Sequence, residues 1–213
     1  MLGIALILVG IVLVHNGVLF LSKTKVLEPQ EDGKMVETLV PLVVKSPKSI
    51  AFFNAIVGGI LLILNFVGFA FHRGQPLGGF AFYQNIAAGM IFGVTYLFIA
   101  GNLLFKLDMK PFGFFSLGAT IFAAVLTVLN FRDFARVGFG EICAYTGMAG
   151  YSFLWLALLW LSWFVLWLTG VLEFVLNIKK MQKIFPYVSI AVGVVGAFVP
   201  ALLLLTGVWG LLG

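Results

Sequence analysis

Six long apolar stretches alternate with short polar breaks along this chain. They fall at about 2–22, 50–71, 79–105, 111–131, 144–176 and 185–211. Each holds roughly 20 or more residues, the length an α-helix needs to cross a hydrocarbon core of about 30 Å. The pattern predicts six transmembrane helices in one membrane domain spanning 1–213. The one long polar interval is 23–49, with five lysines and the run from Glu28 to Gly33, and it reads as a partly disordered loop. Within it, Val36–Val44 is apolar enough to lie at the membrane interface. Pro111 suits the first turn of helix 4, and the run Phe131–Glu141 reads as the loop after that helix.

Composition agrees with the pattern. Hydrophobic residues make up 62% of the chain and charged residues 10%, against about 25% charged in a soluble domain. Mean hydropathy is +1.14. The fold class is therefore an all-α polytopic membrane protein, and an even number of helices allows three stacked hairpins.

The thirteen basic residues lie in the loops. They read as topology signals and not as a nucleic-acid surface. The intervals after helices 1, 3 and 5 hold Lys23, Lys25, Lys34, Lys45, Lys48, Lys106, Lys110, Lys179, Lys180 and Lys183; the other loops hold Arg73, Arg132 and Arg136. Ten against three places 23–49 in the cytoplasm and both termini outside. The first apolar run has no basic residues before it and no small-residue cleavage pattern after it, so it is expected to remain as helix 1.

No familiar catalytic pattern is present. The chain has no HExxH, no GxSxG and no intramembrane aspartate pair; Cys143 stands alone, and His15 and His72 are too few and too far apart to suggest a metal site. An enzyme is not expected. Charge inside the spans is nearly absent, with Glu173 near the end of helix 5 as the exception, which disfavours an ion pathway.

A passage for a small neutral polar solute needs aromatic and aliphatic walls with a few neutral polar groups. Losing the hydrogen bonds of an amide costs about 2–7 kcal/mol, and a pore must replace only part of that, because conduction requires weak sites. Helix 5 offers Trp160, Trp163 and Trp167 at i, i+3, i+7 on one face. Helix 3 offers Phe92 and Tyr96 one turn apart with Thr95 beside them, and helix 1 offers Leu6, Leu13 and Asn16. These positions alone leave packing, an interfacial belt and a pore open as readings. Asn16, Asn54, Asn65 and Asn102 each need a hydrogen-bond partner, and bonding between helices is the ordinary role of such groups. Gly58, Gly59, Gly93, Gly101, Gly170, Gly193 and Gly196 permit close helix approach.

Several motifs occur together in order along the chain. They are Met1–Gly3, Val9-Gly10-Ile11-Val12-Leu13 followed by Asn16-Gly17, Phe53-Asn54 with Val57-Gly58-Gly59, Phe92-Gly93 with Thr95-Tyr96-Leu97, Leu107-Asp108 with Pro111, the block Trp160–Thr169, and Pro200-Ala201. In these the chain resembles the AmiS/UreI family of urea channels and short-chain amide transporters. The resemblance implies six helices arranged as three hairpins around a pore in each protomer, and a homo-hexameric ring with lipid at its centre. It implies passive passage of urea or small amides such as acetamide and propionamide, with no cofactor, feeding a cytoplasmic urease or amidase. By likeness, Leu6, Leu13, Phe92, Tyr96, Trp160, Trp163, Leu166 and Trp167 line two constrictions, with Asn16 nearby.

Two departures stand out. Val192 occupies the place of a helix 6 carboxylate found in the urea-channel branch, which points toward less polar amides. The outside loops are short, with His72 as their one histidine, so acid activation is expected to be weak or absent. A proton-coupled carrier dependent on Glu173 is the first rival reading; a non-transporting scaffold that docks an enzyme through 23–49 is the second.

Overall fold

The computed structural model describes residues 2–21, 23–29, 35–41, 47–71, 79–143 and 149–206. His72 and the arginine-bearing turn before helix 3 lie outside these residues, as do 144–148 at the expected start of helix 5. The helices are α1 (Leu2–Leu21), α2 (Pro47–Phe71), α3 (Gly79–Phe105), α4 (Lys110–Val137), α5 (Gly150–Phe174), α6 (Met181–Gly193) and α7 (Val199–Leu205). A π-helical turn over Val194–Phe198 joins α6 to α7, so the last two form one span. Among the described residues, five spans are long and apolar enough to cross a membrane, and α1 is a shorter apolar helix of 20 residues, about 30 Å.

The spans pack as antiparallel pairs. Two pairs, α2 with α3 and α4 with α5, are hairpins. The third joins the first and last spans, α1 against α6, the π turn and α7. This closes the bundle on itself. A Cβ at Gly10 would come within 2.9 Å of the Gly193 carbonyl and of Phe198, so only glycine allows this approach of α1 to the last span.

Two expectations change. The interval 23–49 is not merely loop: β1 (Lys23–Pro29) and β2 (Met35–Pro41) form an antiparallel hairpin with Lys23 opposite Pro41 and Pro29 opposite Met35. Val26, Val36, Thr24, Thr38 and Val40 supply the β-branched residues that suit extended backbone, a signal that the lysines and acidic residues obscured. The charged run after helix 4 is also partly helical. α4 continues through Arg132, Asp133 and Arg136 to Val137, with Gly138 at φ 84° ending it. Beyond the apolar span, exposed charges cost a helix little, and Arg136 in the last turn complements its dipole.

The amphipathicity of α4 is inverted relative to a soluble helix. Ser116, Thr120, Thr127 and Asn130 face the interior, while Phe114, Leu117, Ile121, Val125 and Val128 face outward. Each inward polar group donates to the carbonyl four residues back, at 2.7–2.9 Å. The hydroxyl donors of Ser116, Thr120 and Thr127 are thereby buried with a partner, and Asn130 Nδ2 gives one N–H to Leu126 O. Aliphatic and aromatic residues are left to meet lipid or another protomer.

Candidate functional site

The inward faces of five spans meet around a cavity in one half of the bundle. Its walls are Leu13 and Asn16 of α1; Phe92, Thr95, Tyr96 and Ile99 of α3; Phe112 and Ser116 of α4; Leu166, Trp167 and Gly170 of α5; and Phe185 and Ser189 of α6. Phe112 and Ser116 belong to the first turns of α4, and Phe185 and Ser189 to the first turns of α6. The cavity therefore lies toward the end of the bundle that bears Lys106, Lys110 and Lys179–Lys183. Its volume is about 30 Å³, room for more than one water, since a single water needs about 10–15 Å³.

Among the described residues, the lining has no carboxylate, lysine, arginine or histidine. Its polar groups are neutral, and most of their donors are already engaged. Thr95 Oγ1 donates to Ile91 O at 2.8 Å, Ser116 Oγ to Phe112 O at 2.9 Å, Ser189 Oγ to Leu13 O at 2.8 Å and Tyr96 Oη to Val9 O at 3.3 Å. A hydroxyl that has given its proton still has lone pairs, so these oxygens remain acceptors. Asn16 Nδ2 donates to Asn54 Oδ1 at 2.9 Å and Asn54 Nδ2 donates back to Asn16 Oδ1 at 3.1 Å. Asn54, wholly buried on α2, also bonds Ile50 O, and so braces Asn16 from behind the wall.

One donor is different. Trp167 is 3% exposed and lines the cavity, yet among the described residues its Nε1 has no hydrogen-bond partner. Buried indole N–H groups ordinarily find one.

The nine residues expected at a pore are all buried, but they divide. Leu13, Asn16, Phe92, Tyr96, Leu166 and Trp167 line the cavity; Leu6, Trp160 and Trp163 do not. These three pack with it in the same core cluster. A chain of rings leads away from the cavity wall: Phe92 meets Trp163 edge-on at 4.8 Å, Trp163 meets Trp160 edge-on at 4.8 Å, and Trp160 meets Phe122 at 5.5 Å. Phe92 also lies 4.8 Å from Trp167 at 39° and stacks on Tyr96 at 6.2 Å. Trp155, the remaining tryptophan of α5, faces outward.

Sequence reasoning passed over Ser116, Ser189, Phe112 and Phe185, and named Thr95 without choosing it. Ser189 had a usable signal, as a small hydroxyl in an apolar run that needs a partner at membrane depth. Ser116 had another, since Ser116 and Thr120 repeat at helical spacing on one face. Val192, in the place of the missing carboxylate, is buried but lies outside the lining.

Six apolar spans closing on an uncharged, aromatic-walled cavity define a polytopic membrane protein of the transport class. The profile of the AmiS/UreI family of transporters matches residues 35–208, and the chain belongs to that family. It is 32% identical to an acid-activated urea channel of Helicobacter pylori, over 98% of this chain and all of that one. It is 29% identical to a protein of Mycolicibacterium smegmatis assigned to amidate-substrate transport, over 97% of this chain and 78% of that one. The cryo-EM structure of the Helicobacter pylori urea channel in its closed state superposes with a TM-score of 0.71 at 31% identity, covering 98% of this chain and all of that one. The crystal structure of that channel gives 0.69, covering 96% and 97%.

Proposed function

We propose that this protein is a passive channel for urea or short aliphatic amides such as acetamide and propionamide. The observation that carries the reading is the free Trp167 Nε1 in a cavity whose other polar groups are chiefly acceptors. A primary amide has the complementary arrangement: one carbonyl to accept from Trp167, and N–H groups to give to Thr95, Ser116, Ser189 or Tyr96. Phe92, Tyr96 and Trp167 offer ring faces to a planar solute. One donor and a few weak acceptors replace part of the lost hydration without trapping the solute, and the absence of charge gives an ion no compensation for its own.

Leu13, Phe92, Tyr96, Leu166, Trp167 and Asn16 act as the binding chamber. Leu6, Trp160 and Trp163 act as the narrow aromatic seal beyond it. The names of the Helicobacter and Mycolicibacterium relatives support urea and amides as the solute classes. The distribution of basic residues supports an inner-membrane orientation with both termini outside and the Lys23–Pro41 hairpin in the cytoplasm. The outward apolar stripes of α2 and α4 suit both lipid and neighbouring protomers of a hexamer. The chain itself is not an enzyme; it supplies a cytoplasmic urease or amidase.

The test is solute flux in proteoliposomes. Urea, acetamide or propionamide should enter faster than into empty vesicles, at a rate unaffected by an uncoupler. No acceleration for any of the three removes the channel reading, and collapse with uncoupler would replace it with a proton-coupled carrier.

A further inference from the structure

The last span changes helical register partway along its apolar run. Over Val194–Phe198 the helix widens, and Val199 N–H bonds back five residues to Val194 O. Such turns arise where the regular ladder is interrupted, and they recur at functional sites. The interruption here is Pro200. Proline has no N–H, and its ring crowds the carbonyl four residues earlier. That carbonyl belongs to Gly196.

Gly196 O therefore lacks its ordinary helical donor at membrane depth, where an unpaired carbonyl is costly. The donor comes from the neighbouring helix instead, as Trp163 Nε1 reaches Gly196 O at 3.1 Å. Gly196 permits the approach, because a Cβ there would run into Ser162 Oγ, which adjoins Trp163 on α5. The indole so held meets Phe92 edge-on at 79° and Trp160 edge-on at 83°, both at 4.8 Å. Trp163 is thus held by a hydrogen bond and by the rings of Phe92, Trp160 and Trp167, whereas Trp167 Nε1, one helical turn away, has no partner among the described residues.

We propose that Pro200 is a positioning residue for Trp163. By withholding an N–H from Gly196 it hands that carbonyl to the indole and sets the ring orientation in the aromatic seal. The hydrogen-bond part of this proposal stands by itself; the consequence for selectivity rests on the channel reading above.

The experiment uses full-length protein in lipid nanodiscs with 15N-labelled tryptophan, the two indole resonances assigned with Trp163→Phe and Trp167→Phe. In the unmodified protein the Trp163 N–H should exchange with deuterium roughly tenfold more slowly than the Trp167 N–H, as one net hydrogen bond allows. Pro200→Ala supplies an N–H that can reclaim Gly196 O, and the difference should disappear. Equal exchange of the two indoles in the unmodified protein overturns the proposal, a result that needs no variant to fold. So does unchanged Trp163 exchange in Pro200→Ala.

A second arm reads flux. Pro200→Ala should shift the propionamide-to-urea flux ratio by roughly two- to tenfold in the unmodified background and leave it unchanged in Trp163→Phe, where the donor is already gone. Equal shifts in both backgrounds would show that Pro200 acts by some other route. Absence of flux in every protein would remove the channel reading while the exchange arm still decides the latch.

Discussion

Asn16 and Asn54 exchange side-chain hydrogen bonds at 2.9 and 3.1 Å across α1 and α2, and both are buried. The pair joins a span that lines the cavity to the one span that does not. Each amide supplies what the other lacks, and Asn54 Nδ2 also reaches Ile50 O on its own helix. Asn16 is thereby held as part of the wall, and its Nδ2 gives one of its two N–H groups to Asn54.

Removing Asn54 should therefore cost stability through its partner. Asn54→Ala is expected to lower unfolding free energy by about 1 kcal/mol, in the range of interhelical side-chain bonds in membranes. The Asn16→Ala, Asn54→Ala double variant should lose less than the sum of the two singles, because both delete one interaction. Thermal unfolding in detergent measures all three. Strict additivity would mean that the exchanged bonds carry no coupling.

The fold was legible because the bilayer imposes a simple code. Runs such as Leu2–Leu21 must satisfy their backbones internally, so apolar length locates them, whereas the charged end of α4 from Arg132 to Val137 carried no such mark. Leu13, Asn16, Phe92, Tyr96, Leu166 and Trp167 were visible by helical spacing together with family likeness. Spacing cannot say which helices pair, so nothing in the sequence reading joined α1 to the last span. Nor can it rank residues that share one face. Trp160, Trp163 and Trp167 looked equivalent, yet the Trp163 N–H is bound to Gly196 O and the Trp167 N–H is unpaired. Ser189 signalled only that it needed a partner, and that partner, Leu13 O on α1, is set by how the helices pack. The hairpin Lys23–Pro41 was hidden because its charge resembles that of a loop.

Gly170 gives a test of size selection. It lines the cavity on α5, and a Cβ there would lie 3.1 Å from Ser116 Oγ. Gly170→Ala should fill space at the wall and crowd an acceptor at once. Propionamide flux is expected to fall about fivefold or more while urea falls less, since one added methyl is worth roughly 1 kcal/mol in a close-packed site. Parallel loss for the two solutes would point to a general packing defect.

The cavity also predicts how the protein responds to acid. Among the described residues, Tyr96 is the one titratable side chain in the lining, and its hydroxyl is engaged with Val9 O. Phenols ordinarily titrate near pH 10, far above the histidine range. No lining group changes charge between about pH 5 and 7.5, so urea flux should vary less than about twofold across that interval. A steep rise on acidification, as the name of the Helicobacter relative would suggest by analogy, would place a proton sensor outside the lining.

Trp167→Phe separates chemistry from packing. Phenylalanine retains a ring beside Phe92, 4.8 Å from the indole it replaces, but has no N–H. In most proteins, replacing a buried tryptophan breaks a hydrogen bond as well as removing volume. Here Trp167 Nε1 has no protein partner to lose, so the stability cost should be limited to the smaller ring, about 1–2 kcal/mol. The solute carbonyl, however, loses a free donor, and one net hydrogen bond is worth about 0.5–1.5 kcal/mol. Urea and acetamide flux should therefore fall by roughly two- to tenfold. If the group serves the solute, half-saturation by acetamide should rise along with the fall in rate. Unchanged flux in a well-folded Trp167→Phe protein would show that the unpaired indole plays no part in recognition, and the amide-binding geometry assigned to this cavity would have to be withdrawn.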